Sequence, residues 1–267
     1  MKISIKAEDA LFRLREKRPL VHCITNYVTA GDTANMLLAA GASPIMADDP
    51  NETAEVALAA DAAVLNMGTL SEKRLAAMIA AGKSANEKGI AVVLDPVGVQ
   101  LTEFRRRAAE KIFSEVKISI VRGNISELSF LAGIADSAET HGVDSCGGMP
   151  EKAPKAAAEK LGCVCAATGK TDVITDGKTV FAVKNGCGEL KRITGAGCMT
   201  TALCGAFSAV TEPLYAALFG TAFMGICGEL ALEKCGENAM GSFHTAVFDA
   251  ASMDGIKFSE RLKADEI

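Results

Sequence analysis

The stretch Thr194–Thr201, TGAGCMTT, joins two glycines to an apolar run with helical spacing and sets a thiol, Cys198, just inside it. Gly195 and Gly197 let the backbone turn and come close to a ligand. The first amides of a helix lack internal partners and point outward at the positive end of its dipole. Gly195, Ala196, Gly197 and Cys198 can therefore hold a phosphate, or the charge on a phosphoryl group in transfer. The same residues also make an ordinary glycine-rich helix start.

Other polar groups fall where apolar runs end. Asp95 stands in LDPVG (94–98), Arg122, Asn124 and Glu127 in VRGNISE (121–127), and Thr168 follows the apolar run around Cys163 and Cys165. An arginine there suits phosphates, and carboxylates suit Mg2+, bound directly or through water. Each has a local alternative. Asp95 can form a turn or a cap, and Asn124 with Glu127 can close a capping box. AMIAAGKS (77–84) resembles a phosphate loop but has Ala77 for the first glycine and sits in a helical pattern, so it is rejected. His22 and His244 are read as structural and His141 as part of a turn; the three are too far apart in sequence to suggest a metal cluster.

The elements that must position these groups alternate. Helical patterns are read over 8–17, 32–41, 49–60, 75–89, 104–116 and 125–133, and short apolar strands at 20–24, 43–47, 61–68, 90–98 and 117–124. The helix over 49–60 is expected to open with Asp49 as cap, Pro50 in first position and Glu52 three residues past the cap. FRRRAAEK (104–111) is read as one solvated helix face. DVITDG (172–177) and KTVFAVKNG (178–186) read as a hairpin, and from GAGC onward the pattern is mostly helical. Apolar runs without alternation, separated by helices, predict a mostly parallel sheet covered on both faces. Ligands in such sheets bind beyond the carboxyl ends of the strands. No linker or repeat is visible, so 1–267 is read as a single domain.

Composition narrows the class of ligand. The chain has 267 residues, 49% of them hydrophobic, and a net charge of −5 with no long basic cluster, which argues against nucleic acid and anionic membrane and for a small-molecule substrate. The nine cysteines form no C-x-x-C pair and are read as mostly buried small apolar groups in a reducing cytoplasm. The charged N-terminus has no signal-peptide pattern, and no stretch of about 18 apolar residues suggests a membrane span.

Taken in order, several stretches resemble the hydroxyethylthiazole kinases of the ribokinase-like superfamily. They are PLVHCITNYVTAGDTANMLLAAGASPIMA (19–47), LNMGTL (65–70), AGKSANEKGIAVVLDPVGV (81–99), VRGNISE, GVDS (142–145), VITDG (173–177), TGAGCMTTAL (194–203) and GSF (241–243). The resemblance implies a three-layer α/β/α ribokinase-like fold. It also implies transfer of the γ-phosphate of ATP, with Mg2+, to the primary alcohol of 4-methyl-5-(2-hydroxyethyl)thiazole. Met46, Gly195 and Asn26 match substrate positions, Arg122 and Thr168 match ATP positions, and Asp95 and Glu127 match acidic positions tied to the metal and phosphates. A homotrimer with sites at subunit interfaces is implied as well. Tyr27 and Gly31 depart from the family pattern near the thiazole pocket or interface. Sugar kinases of the superfamily usually carry aspartate at the position of Cys198; the thiazole kinases share the cysteine. A helix N-terminus lowers a thiol's pKa, and nearby ATP charge would oppose that shift. Cys198 is expected to position the alcohol and accept its proton late, or merely to pack. Alternatives are a kinase for hydroxymethylpyrimidine or pyridoxal, a nucleotide repair lyase, and a nucleotide-binding module without catalysis.

Overall fold

The computed structural model describes residues 2–134 and 151–267. His141, the GVDS stretch and Cys146 lie outside them. The strands are β1 (Leu20–Ile24), β2 (Ser43–Ile45), β3 (Ala62–Asn66), β4 (Ala91–Asp95), β5 (Ile120–Asn124), β6 (Val164–Thr168), β7 (Asp172–Thr175), β8 (Val180–Val183) and β9 (Ala264–Glu266). They form one sheet in the order β2-β1-β3-β4-β5-β6-β7-β8-β9. Pairing is parallel from β2 through β6 and antiparallel from β6 to β9.

The helices are α1 (Ile3–Lys17), α2 (Ala30–Ala40), α3 (Thr53–Ala59), α4 (Glu72–Lys88), α5 (Glu103–Glu115), α6 (Ile125–Ala132), α7 (Lys152–Leu161), α8 (Ala196–Ser208), α9 (Pro213–Cys235), α10 (Met240–Ser252) and α11 (Phe258–Arg261). Successive strand side chains point to opposite faces, and here both faces are buried. Val21, Cys23, Val64, Val93 and Ile120 pack with α1, α2 and α8–α11. Ile24, Leu65, Val92, Leu94 and Val121 pack with α3–α7. This explains why the strands read as continuous apolar runs and confirms the three-layer architecture.

Two expectations are corrected. The helix read from Asp49 begins only at Thr53. Asp49 instead closes a turn, its Oδ1 accepting from Asn51 N–H at 3.0 Å and its Oδ2 taken by Lys73 at 2.6 Å. FRRRAAEK is not one solvated face, because Arg105 turns inward to donate to Met67 O, Val97 O and Gly68 O. From GAGC onward the chain is mostly helical, as read, with α8–α11 followed by the three-residue β9, which pairs with β8. By length and composition α9 could cross a membrane, yet 78% of its 18-residue apolar window is buried inside the protein, where α9 packs between α8 and α10.

Candidate active site

Each strand from β3 to β6 ends in, or just short of, a polar side chain, and parallel register brings these ends to one edge. Asn66 lies beside Asp95, and Asn124 beside Thr168. The first turn of α8 faces this edge. Its N-cap is Gly195, at φ +89°. The first helical bond runs from Met199 N to Gly195 O at 2.8 Å. The N–H groups of Ala196, Gly197 and Cys198 are therefore left outside the ladder. A methyl group at Gly197 would lie 2.6 Å from Arg122 Nη1, which measures how closely the guanidinium approaches the turn.

Arg122 donates from Nη2 to the Thr168 hydroxyl, and that hydroxyl lies 3.4 Å from Gly123 O. Arg122 Nη1 is 3.8 Å from Asp95 Oδ2. Asp95 is 1% exposed. Its Oδ2 accepts from Asn66 Nδ2 at 2.9 Å and from Thr201 Oγ1 at 2.7 Å, while Oδ1 is buried without a partner. Burial pushes the Asp95 carboxyl above its ordinary range, against the pull of Arg122, Thr201 and Asn66.

Glu127 does close the capping box with Asn124: Oε2 accepts Asn124 N–H and Asn124 Oδ1 accepts Glu127 N–H, both at 2.8 Å. Its Oε1 accepts Gly98 N–H at 2.9 Å. So the local reading of this pair holds, and it brings the carboxylate toward Asp95 at the same time. Burial, then the charge of Asp95, pushes Glu127 up.

Cys198 Sγ receives Asn26 Nδ2 at 3.1 Å and Asn66 Nδ2 at 3.3 Å. Its thiol is pushed up, first by burial and then by Asp95. The expected lowering at the helix start is thus overridden, because the sulfur is largely removed from water and sits near a carboxylate. Met46 is apart from this network. It follows β2 at the sheet edge, packs on the face covered by α1, α2 and α8, and is adjacent to Ala47, whose carbonyl is 2.7 Å from His22 Nε2. Burial pushes the His22 pKa down, so the neutral ring donates from Nε2 in a structural role, as read. His244 lies 3.0 Å from Asp32 Oδ2, also away from this edge network.

Three residues here were not singled out from the sequence. Asn66 and Thr201 bind Asp95, and Asp172 accepts Gly169 N–H at 2.8 Å, steadying the turn just beyond Thr168. Asn66 and Asp172 stand at strand termini, so position was an available signal for both; Thr201 gave none, since it lies within an apolar helix.

A doubly covered parallel sheet with a glycine-opened helix start, an arginine and two carboxylates at its carboxyl edge defines a phosphotransferase of ribokinase-like architecture. The hydroxyethylthiazole kinase family model matches residues 11–253. The hydroxyethylthiazole kinase of Ruminiclostridium cellulolyticum is 48% identical over 261 residues, 95% of each chain. The solved hydroxyethylthiazole kinase of Pyrococcus horikoshii OT3 superposes with a TM-score of 0.89 at 40% identity, over 98% of this chain and 99% of that one. The ADP complex of a Staphylococcus aureus pyridoxal kinase, at 17% identity and a TM-score of 0.63 over 93% and 98% of the two chains, shares the fold. The chain belongs to the hydroxyethylthiazole kinase family.

Proposed function

We propose that this protein transfers the γ-phosphoryl group of ATP to the primary alcohol of 4-methyl-5-(2-hydroxyethyl)thiazole. The observation that carries the chemistry is the first turn of α8 facing Arg122 and the buried Asp95 at one sheet edge. Family membership carries the choice of acceptor. In this reading Arg122 and Thr168 bind the ATP phosphates, and the amides of Ala196, Gly197 and Cys198 stabilise charge on the phosphoryl oxygens. Asn26, Met46 and Gly195 meet the thiazole side, and Cys198 orients the alcohol. Phosphoryl transfer goes through a loose transition state, so positioning and charge stabilisation dominate over a strong base.

Mg2+ fits the donor set. Asp95 Oδ1 is a buried acceptor without a partner, and the Asp95 and Glu127 charges oppose each other. Two carboxylates with phosphate and water oxygens suit a hard cation. Bound there, the ion would neutralise phosphate charge. A single-domain cytoplasmic homotrimer with sites at subunit interfaces completes the proposal.

ADP release with Mg-ATP tests it, with hydroxyethylthiazole, hydroxymethylpyrimidine and pyridoxal supplied separately. Turnover with the thiazole alone is expected, and chelation of Mg2+ should abolish it. Turnover with only one of the other alcohols would overturn the acceptor. No turnover from folded protein that binds ATP would overturn the kinase reading.

A further inference from the structure

Asn66 is 1% exposed at the last position of β3, and every polar atom of its amide is committed. Oδ1 accepts Gly68 N–H at 2.8 Å. Nδ2 donates to Asp95 Oδ2 at 2.9 Å and to Cys198 Sγ at 3.3 Å. The chemistry fixes the orientation: exchanging O and N would set an amide NH2 against Gly68 N–H and a carbonyl oxygen against a carboxylate. The turn that allows this needs glycine at 68, where a Cβ would fall 2.5 Å from Asn26 Cβ and 2.8 Å from Asn66 Oδ1. Arg105 braces the same turn by donating to Met67 O and Gly68 O, and ties it to the next loop through Val97 O.

We propose that Asn66 is a positioning residue for phosphoryl transfer, its single amide fixing the Asp95 carboxylate and the Cys198 sulfur relative to each other. This rests on the reading that Asp95 and Cys198 act in the transfer. At Asp95, Asn66 and Thr201 both occupy Oδ2. The carboxylate is thereby held against rotation, and Oδ1 is the oxygen left to meet a further partner. At Cys198, Asn26 and Asn66 both donate to the sulfur. The S–H must then point away from both asparagines. One amide thus links the group on the phosphate side to the group on the alcohol side. Thr201 reaches only the first, since its hydroxyl meets Asp95 and Gly197 O but not the sulfur.

The test is a double-mutant cycle. Asn66→Ala and Thr201→Val are each combined with Cys198→Ala, and kcat and both KM values are measured with Mg-ATP and hydroxyethylthiazole. Asn66→Ala should lower kcat by about 10- to 100-fold, the scale of a small misplacement of reacting groups, with each KM changed by less than about threefold. In the Cys198→Ala background the same change should cost at least about threefold less, because one of its two targets is gone. Thr201→Val should cost the same in both backgrounds. Asn66→Ser, which keeps one short donor, should recover part of kcat, and its own cycle with Cys198→Ala serves if Asn66→Ala does not fold. Full additivity for the Asn66 variants, or an effect confined to KM, overturns the proposal. Loss of activity in Cys198→Ala and Asp95→Asn with wild-type kcat in Asn66→Ala overturns it alone. Wild-type kcat in both Cys198→Ala and Asp95→Asn overturns the catalytic reading and this proposal with it.

Discussion

Replacing Gly195 with alanine separates two constraints that meet at the turn before α8. Gly195 holds φ +89°, and a methyl group there would lie 2.7 Å from Thr29 Cγ2 and 2.9 Å from Thr29 Cβ. Thr29 is 3% exposed, so its neighbours restrict how far it can yield. Holding a residue with a Cβ in the left-handed region costs about 1–2 kcal/mol. Overpacking against a buried side chain costs about 1–3 kcal/mol. The costs arise from different atoms and add, to about 2–5 kcal/mol, which in a chain of this size lowers Tm by roughly 5–15 °C. Displacing the amides of residues 196–198 should also lower kcat by about 10- to 100-fold. Thermal melts and steady-state kinetics are run on Gly195→Ala, Thr29→Ser and the double variant. Thr29→Ser deletes Cγ2 but keeps the Cβ at 2.9 Å, so the double variant should regain part of the overpacking share of the Tm loss and keep the backbone share. A Gly195→Ala protein as stable as wild type, or a double variant with no recovery, refutes the reasoning.

Asp95→Asn should dissociate stability from activity. The native carboxyl is pushed up by burial, so its ionised form costs stability above the unfolded pKa. The variant's Tm relative to wild type should therefore rise with pH above about 4, while kcat falls by at least about 100-fold; a variant less stable at every pH would count against this. Burial likewise pushes Asp172 up to about 6. The native state then holds this proton more tightly than the unfolded state, and wild-type stability should fall between about pH 4 and pH 6. Asp172→Asn should remove that fall, and a Tm difference that stays constant from pH 4 to 7 would refute it. Cys198→Ala should lower kcat by about tenfold or less and leave KM for ATP unchanged; unchanged turnover would reduce Cys198 to a packing role.

The parts legible in the sequence were those whose signal is local and typed. Asp95, Arg122 and Thr168 were picked out as candidates because each is a charged or hydroxyl group at the end of an apolar run, and parallel pairing brings such ends to one edge. Gly195 was found because a glycine before a helix carries its own backbone reason. Asn66 stands at an equivalent strand end, but an amide has no charge to mark it, and its role follows only from the register beside Asp95 and the tight turn at Gly68. Thr201 looked like helix interior because only the packing of α8 on β4 turns it toward the carboxylate. Arg105 was misread for the converse reason. Composition describes a helix's charges, but the reach of one arginine to three carbonyls depends on where the loops after β3 and β4 lie. The strand β9 is short, polar and partly exposed, with no apolar run to announce it.

A raised thiol at the helix start changes which property of Cys198 is useful. With burial and Asp95 pushing its pKa up, the sulfur keeps its proton at neutral pH. Two asparagine donors engage its lone pairs. A thiol held in this way is a poor base and a well-oriented contact. In a loose transition state the acceptor alcohol carries little negative charge until bond formation is advanced, so its proton need not be removed early. The demand falls instead on the phosphoryl oxygens. In the proposed mechanism the groups that meet it are the amides of residues 196–198 and Arg122, with the Asp95–Glu127 pair proposed to hold a cation. A thiol is sufficient at this position on these grounds, and a carboxylate there would add a third negative group beside Asp95 and Glu127, where the charge of Asp95 already raises the pKa of Glu127.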